Sequence, residues 1–391
     1  MRKFDNKVGF GYNISMPLIK IDKSKYMAAA LNRLKDVPVL PPQVAFDKLE
    51  ELGYRGQEKA RKAVCLLAYR HVRRLKMIHL YGYSRMELPP HSNFLLMGPT
   101  GCGKTFLVEL LFREILKLPT VIIDITGFSE TGYVGDDVKT ILTRLLYVSD
   151  FNPHWAAFGV VCIDEFDKLA TTRNTARFDG AGTTKDVSGL GVQRELLKLL
   201  EGSEVHVPLD FNNTCYSERI SISTEDIAFI CCGAFSGFKA AAISHLAGIG
   251  FEKEIKGEGK EKIAVHLQES IVEDTENFSI YGFLPELIGR FNRIIALEPL
   301  SKDVLKDILI SNVVDKYKKE FSLEGFELEV DDEVLDIIVE ESLKKQTGAM
   351  GLNSALSKYI EEAAFGLFGQ KKKGKVCLKV EEGKIIHKVF Y

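Results

Sequence analysis

One stretch constrains this chain more than any other: Gly98-Pro99-Thr100-Gly101-Cys102-Gly103-Lys104-Thr105. It fits the pattern G-x-x-x-x-G-K-[ST], whose glycines let successive backbone N–H groups turn inward around phosphates. The helix that follows such a loop adds the positive end of its dipole. The setting is the required one, because the apolar run Phe94-Leu95-Leu96-Met97 precedes the loop and a helical stretch, Phe106 to Leu116, follows it. Lys104 is placed to reach the β- and γ-phosphates, and the Thr105 hydroxyl to ligate Mg²⁺. A purely structural glycine turn is the competing reading, and the complete pattern in this setting argues against it.

A phosphate loop needs an acid on its metal side. Val160-Val161-Cys162-Ile163-Asp164-Glu165 supplies one, as an apolar strand ending in two carboxylates. Asp164 is the candidate Mg²⁺ ligand, through water, and Glu165 the candidate general base that polarises the attacking water. Further apolar runs at Val121–Ile125 and Ile227–Ile230 alternate with helical periods, one of them Val138, Ile141, Leu142, Leu145 and Leu146. This alternation predicts an α/β fold with a parallel sheet sandwiched by helices.

The pattern changes after Glu298-Pro299 to helices and a β-prone tail, Val376 to Tyr391. We therefore expect an N-terminal extension over 1–45, a large nucleotide-binding domain over 46–299 and a smaller α+β domain over 300–391. Residues 1 to about 40 show no sustained period, and Pro41-Pro42 breaks any helix there. From Phe46 a helical pattern sets in. The formal net charge of -2 offers no global attraction to nucleic acid or acidic membranes. Seven cysteines without C-x-x-C spacing fit neither a disulfide framework nor a zinc site. The N-terminal segment is too polar for a secretory signal, and no apolar stretch is long enough for a bilayer, so a cytoplasmic location is the expectation.

The run Cys162-Ile163-Asp164-Glu165-Phe166-Asp167-Lys168-Leu169 resembles the corresponding segment of the ClpX family of AAA+ unfoldases, and the similarity runs from about Leu40 to about Leu356. The resemblance implies ATP and Mg²⁺ as cofactors, a ring of six subunits and protein substrates. Thr131 to Val138 looks like that family's first pore loop, in which Tyr133 and Val134 would grip a polypeptide. Lys185 to Gln193 is similar to the second pore loop, and Ala234-Phe235-Ser236-Gly237-Phe238 to the sensor-1 region. Phe283 to Arg290 resembles the segment ending in the arginine finger, which makes Arg290 a catalytic candidate for a neighbouring subunit's γ-phosphate. Gly248-Ile249-Gly250-Phe251 resembles the loop that docks on the ClpP peptidase, so Ile249, Gly250 and Phe251 are candidate partner contacts.

Three departures qualify the resemblance. Residues 1–40 contain no cysteine, so the zinc-binding N-terminal domain typical of the family is not expected in this segment. The second-sensor segment reads Gly348-Ala349-Met350-Gly351-Leu352, with methionine where the family carries arginine; methionine neither donates a hydrogen bond nor bears charge. Between Val207 and Ile220 the basic loop of the family's pore entrance is absent. The function expected is an ATP-driven polypeptide-threading motor, with any proteolysis left to a separate peptidase. The rival is a nucleotide-gated assembly scaffold with weak turnover, which Met350 favours. Nucleic-acid handling is disfavoured by the near-neutral charge.

Overall fold

Strand β1 (Phe94–Met97) is buried at every position, and its side chains divide between two cores. Leu95 and Met97 point into one, Phe94 and Leu96 into the other. The same alternation holds in β3 (Val160–Asp164), where Val161 and Ile163 face the first core, Val160 and Cys162 the second. Only a sheet covered on both faces gives continuous apolar strands this period-2 division. The computed structural model describes residues 23–128, 137–171, 189–208, 219–242, 271–272, 274–370 and 372–391.

The sheet has five parallel strands in the order β2-β3-β6-β1-β7, with β2 at Thr120–Asp124, β6 at Ala228–Gly233 and β7 at Arg293–Ala296. A hairpin of β4 (Glu204–Pro208) and β5 (Arg219–Ser223) stands apart from it. Beyond Glu298 the smaller unit has its own core and a three-stranded sheet, in which β8 (Phe326–Val330) pairs parallel with β9 (Gly374–Glu381) and β9 antiparallel with β10 (Lys384–Phe390). No helix among the described residues is long and apolar enough to cross a membrane.

Four local readings change. Helix α1 (Lys23–Asp36) lies where no period was expected; Ala30 and Leu34, a four-residue step apart, bury into the second core with Val37. The pattern from Phe46 is two helices, α2 (Pro42–Glu51) and α3 (Glu58–His79), parted by Gly53 and Gly56, both at positive φ. Pro42 opens α2 as its first residue, where a missing N–H costs nothing. The helix after the phosphate loop, α4 (Lys104–Val108), begins two residues before Phe106 because Gly103 turns left-handed at its cap, and a π-helical segment, Glu109–Ile115, continues it.

His71 on α3 is 6% exposed, and its Nε2–H donates to the Phe158 carbonyl at 3.1 Å. Burial pushes its pKa down to about 4, overriding the upward pull of that hydrogen bond. An unfolded histidine takes up its proton near pH 6.5, so between about 6.5 and 4 the unfolded chain binds more protons than the folded one. Stability is therefore expected to fall by roughly 3 kcal/mol as pH drops through that window. Urea titrations at pH 7 and pH 5 check this, and His71→Leu should flatten the pH slope whatever its effect on absolute stability.

Candidate nucleotide site

The C-terminal ends of β1, β3 and β6 meet at one edge of the sheet, where open parallel sheets bind ligands. Gly98 N–H donates to the Gly233 carbonyl at 3.1 Å, which fixes the start of the phosphate loop against β6. Gly101 and Gly103 hold φ of +74° and +93°, values at which a side chain is strained. Lys104 is 8% exposed, and its Nζ donates to the carbonyls of Gly98 at 2.7 Å and Pro99 at 2.9 Å. Cys102 is buried within the loop, and burial raises its thiol pKa, so it is inert there.

Thr105 and Asp164 come together across the site, Thr105 Oγ1 donating to Asp164 Oδ2 at 2.6 Å. The other carboxylate oxygen of Asp164 accepts the Glu165 N–H at 2.8 Å. That contact supports an unusual backbone: Glu165 sits at φ +54°, in the left-handed region that costs a non-glycine residue about 1 kcal/mol or more. The turn swings the Glu165 side chain off the strand into the cleft, where it is exposed. Asp167 is buried two residues on, and its Oδ1 accepts the Ala234 N–H at 2.9 Å, tying the ends of β3 and β6.

The resulting cleft of about 910 Å³ lies between the large and small units. Its far wall includes Asn312, Lys316, Tyr317 and Met350. Two hydrogen bonds close the seam: Asn312 Nδ2 donates to the Gly53 carbonyl at 2.9 Å, and Ala349 N–H to the Gly101 carbonyl at 3.0 Å. The second contact needs two bare α-carbons. A Cβ on Gly101 would lie 2.2 Å from the Thr347 carbonyl oxygen, and one on Gly348 2.8 Å from that of Gly101. Met350, one residue on, is 69% exposed at the cleft.

Tyr54 also lines the cleft, its hydroxyl donating to the Gly103 carbonyl at 3.3 Å and its ring stacked on Phe106. Burial drives its pKa far up, so it remains a neutral donor. Tyr54, Asn312 and Asp167 were not singled out from sequence. The glycines flanking Tyr54, at 53 and 56, were the one available hint of a shaped turn there.

Thr100 to Thr105, Asp164 and Glu165 thus line one cleft, Gly98 and Pro99 meet it through the bonds of their carbonyls to Lys104 Nζ, and Arg290 does not line it. Arg290 follows the short helix Pro285–Ile288, pairs with Glu201 at the end of helix α5 (Gly189–Leu200), and its carbonyl accepts a hydrogen bond from Asn93 Nδ2 at 3.3 Å. Tyr133 and Val134, and Ile249, Gly250 and Phe251, lie outside the described residues. Among the described residues no group of three or more His, Cys, Asp or Glu side chains is gathered to hold a metal by itself.

A phosphate loop on a central parallel strand, a paired acid and a lidding small unit define an AAA+ ATPase. Family matches agree, one described as "AAA domain (Cdc48 subfamily)" over residues 89–294, the other as "C-terminal, D2-small domain, of ClpB protein" over 300–376. Among curated relatives, the ATP-dependent Clp protease ATP-binding subunit ClpX of Porphyromonas gingivalis is 33% identical, the alignment covering 89% of this chain and 83% of that protein. The ClpX of Bacteroides thetaiotaomicron is 33% identical over 93% and 85%, and ClpX 2 of Wolinella succinogenes 36% identical over 79% and 74%. The chain belongs to the ClpX family of Clp-type AAA+ ATPases.

Proposed function

We propose that this ATPase is a ring-forming, cytoplasmic protein unfoldase, in which hydrolysis draws the Tyr133–Val134 loop along a central pore and pulls on a polypeptide. The observation that carries it is the division of the catalytic groups. Lys104, Thr105, Asp164 and Glu165 share a cleft, while Arg290 stands half-exposed on another face, beside the end of α5. An arginine so placed serves a γ-phosphate only in a second copy of the chain, which makes turnover a property of an assembly.

Within the cleft the inward-facing N–H groups of the loop and Lys104 bind the phosphates. Thr105 Oγ1 and Asp164 Oδ2, already 2.6 Å apart, would hold Mg²⁺, Asp164 through water; the ion would supply neutralisation of the charge that builds on the phosphates. Glu165 takes a proton from the water whose oxygen attacks the γ-phosphorus as the bond to ADP breaks. Ala349 carries the state of the loop to the small unit through its bond to Gly101. The names of the relatives, subunits of an ATP-dependent protease, support a ClpP-type peptidase as the partner of Ile249, Gly250 and Phe251.

A second reading, a nucleotide-gated scaffold, draws on Met350, which offers the nucleotide neither charge nor a donor from the small unit. ATP turnover with and without an unfolded protein separates the two. The motor is expected to hydrolyse faster when an unfolded polypeptide is added. Slow turnover indifferent to polypeptide would leave the scaffold standing.

A further inference from the structure

Gln193, in the second turn of α5, is fully buried at 0% exposure, and both ends of its amide are hydrogen-bonded. Its Nε2 donates to the Leu169 carbonyl at 2.7 Å and to the Gly282 carbonyl at 3.2 Å. Its Oε1 accepts the Leu284 N–H at 2.8 Å. Leu169 closes the 3₁₀ turn Phe166–Leu169 that starts immediately after Glu165. Leu284 caps the short helix that leads to Arg290. One amide therefore stands between the loop carrying Glu165 and the segment carrying Arg290.

The two segments also touch directly. Phe166, next to Glu165, stacks on Phe283 at 5.1 Å and meets Phe291, next to Arg290, edge-on at 5.6 Å. Thr171 N–H adds a bond to the Gly282 carbonyl at 3.1 Å, with Gly282 at φ +116° and no room for a Cβ. The aromatic contacts fix the spacing of the segments but not their register along one another. The directional bonds of Gln193 fix that together with the Thr171 bond, and the Gln193 role needs an amide, two donors and an acceptor on one planar head.

We propose that Gln193 is a positioning residue for ATP hydrolysis, its amide holding the Arg290 segment in register with the Glu165 loop. The proposal rests on the reading of Arg290 as a finger and Glu165 as base. Gln193 is also the last residue of the segment similar to the second pore loop, so the same amide ties helix α5 to both catalytic segments.

The test is steady-state ATP turnover of the full chain carrying Gln193→Glu, which keeps the shape and the acceptor but sets carboxylate oxygens against two carbonyls. A loss of roughly 10- to 100-fold in kcat is expected from misplacement of Arg290, with KM for ATP held within about twofold. The double variant with Arg290→Ala is expected to be no slower than Arg290→Ala alone. Wild-type kcat, a loss in KM instead of kcat, or losses that multiply in the double variant would each overturn the proposal. Unchanged turnover in Arg290→Ala alone sinks the finger reading instead, which keeps the two failures distinct. Should Gln193→Glu not fold, Gln193→Met, which removes all three bonds without adding charge, is read by the same criteria.

Discussion

Glu165→Gln is expected to bind ATP as the wild type does while losing roughly 10²–10⁴-fold in turnover, the range that a positioned general base contributes. The substitution keeps the shape of the side chain and the left-handed turn at φ +54°, because the supporting bond comes from the Glu165 N–H to Asp164 and not from its carboxylate. Thr105, Lys104 and the loop backbone are untouched, so affinity has no reason to change. What disappears is a carboxylate able to take a proton from water. Phosphate release, alongside titration with a fluorescent ATP analogue, reads both quantities. Turnover within a few-fold of wild type would remove Glu165 as the base, and weakened binding would mean that the turn itself had moved.

The second large effect belongs to Arg290. An arginine that stabilises transition-state charge is worth about 10³–10⁵ in rate, and Arg290→Ala is expected to lose turnover on that scale without losing ATP binding. The ion pair with Glu201 lies at the surface, where such pairs contribute little, so folding should be spared. Mixing supplies the sharper measurement. A subunit with Arg290→Ala keeps its own Lys104 and Glu165, and one with Glu165→Gln keeps its arginine. Combined, the two inactive variants should regain ATPase activity, because some clefts will pair an intact base with an intact neighbour's finger. Mixed assemblies that stay inactive would place the action of Arg290 within its own subunit or nowhere in the chemistry.

The nucleotide loop and its acid were legible because they are contiguous. Gly98 to Thr105 and Val160 to Glu165 each combine a strand, a turn and a chemical group in one short run, and the sheet brings the two runs together where its strands end. Strand β7 was not read, since Arg293-Ile294-Ile295-Ala296 is short and sits at the sheet edge, with too few apolar residues to show a period. Helix α1 was missed for a related reason: its apolar face is alanine and leucine spread thinly among lysines and arginine. The far wall of the cleft was illegible on principle. Asn312 and Ala349 act on residues more than 240 positions away in the chain, through one side-chain amide and one main-chain N–H, and neither leaves a local pattern. Gln193 looked like the end of a glycine-rich loop, and only its neighbours in space reveal three bonds.

The seam between Ala349 and Gly101 bears on what a methionine at position 350 changes in the molecule. Both partners in that bond are main-chain atoms, so the contact is indifferent to which side chain stands at 349 or 350. Its specification is steric: two residues without a Cβ, Gly101 and Gly348, let the strands of backbone approach. Met350 leaves this link between the loop and the small unit standing. A single methyl group at either glycine would part them. Whether the loop and the small unit stay joined is therefore decided by the pair of glycines and not by the side chain at 350.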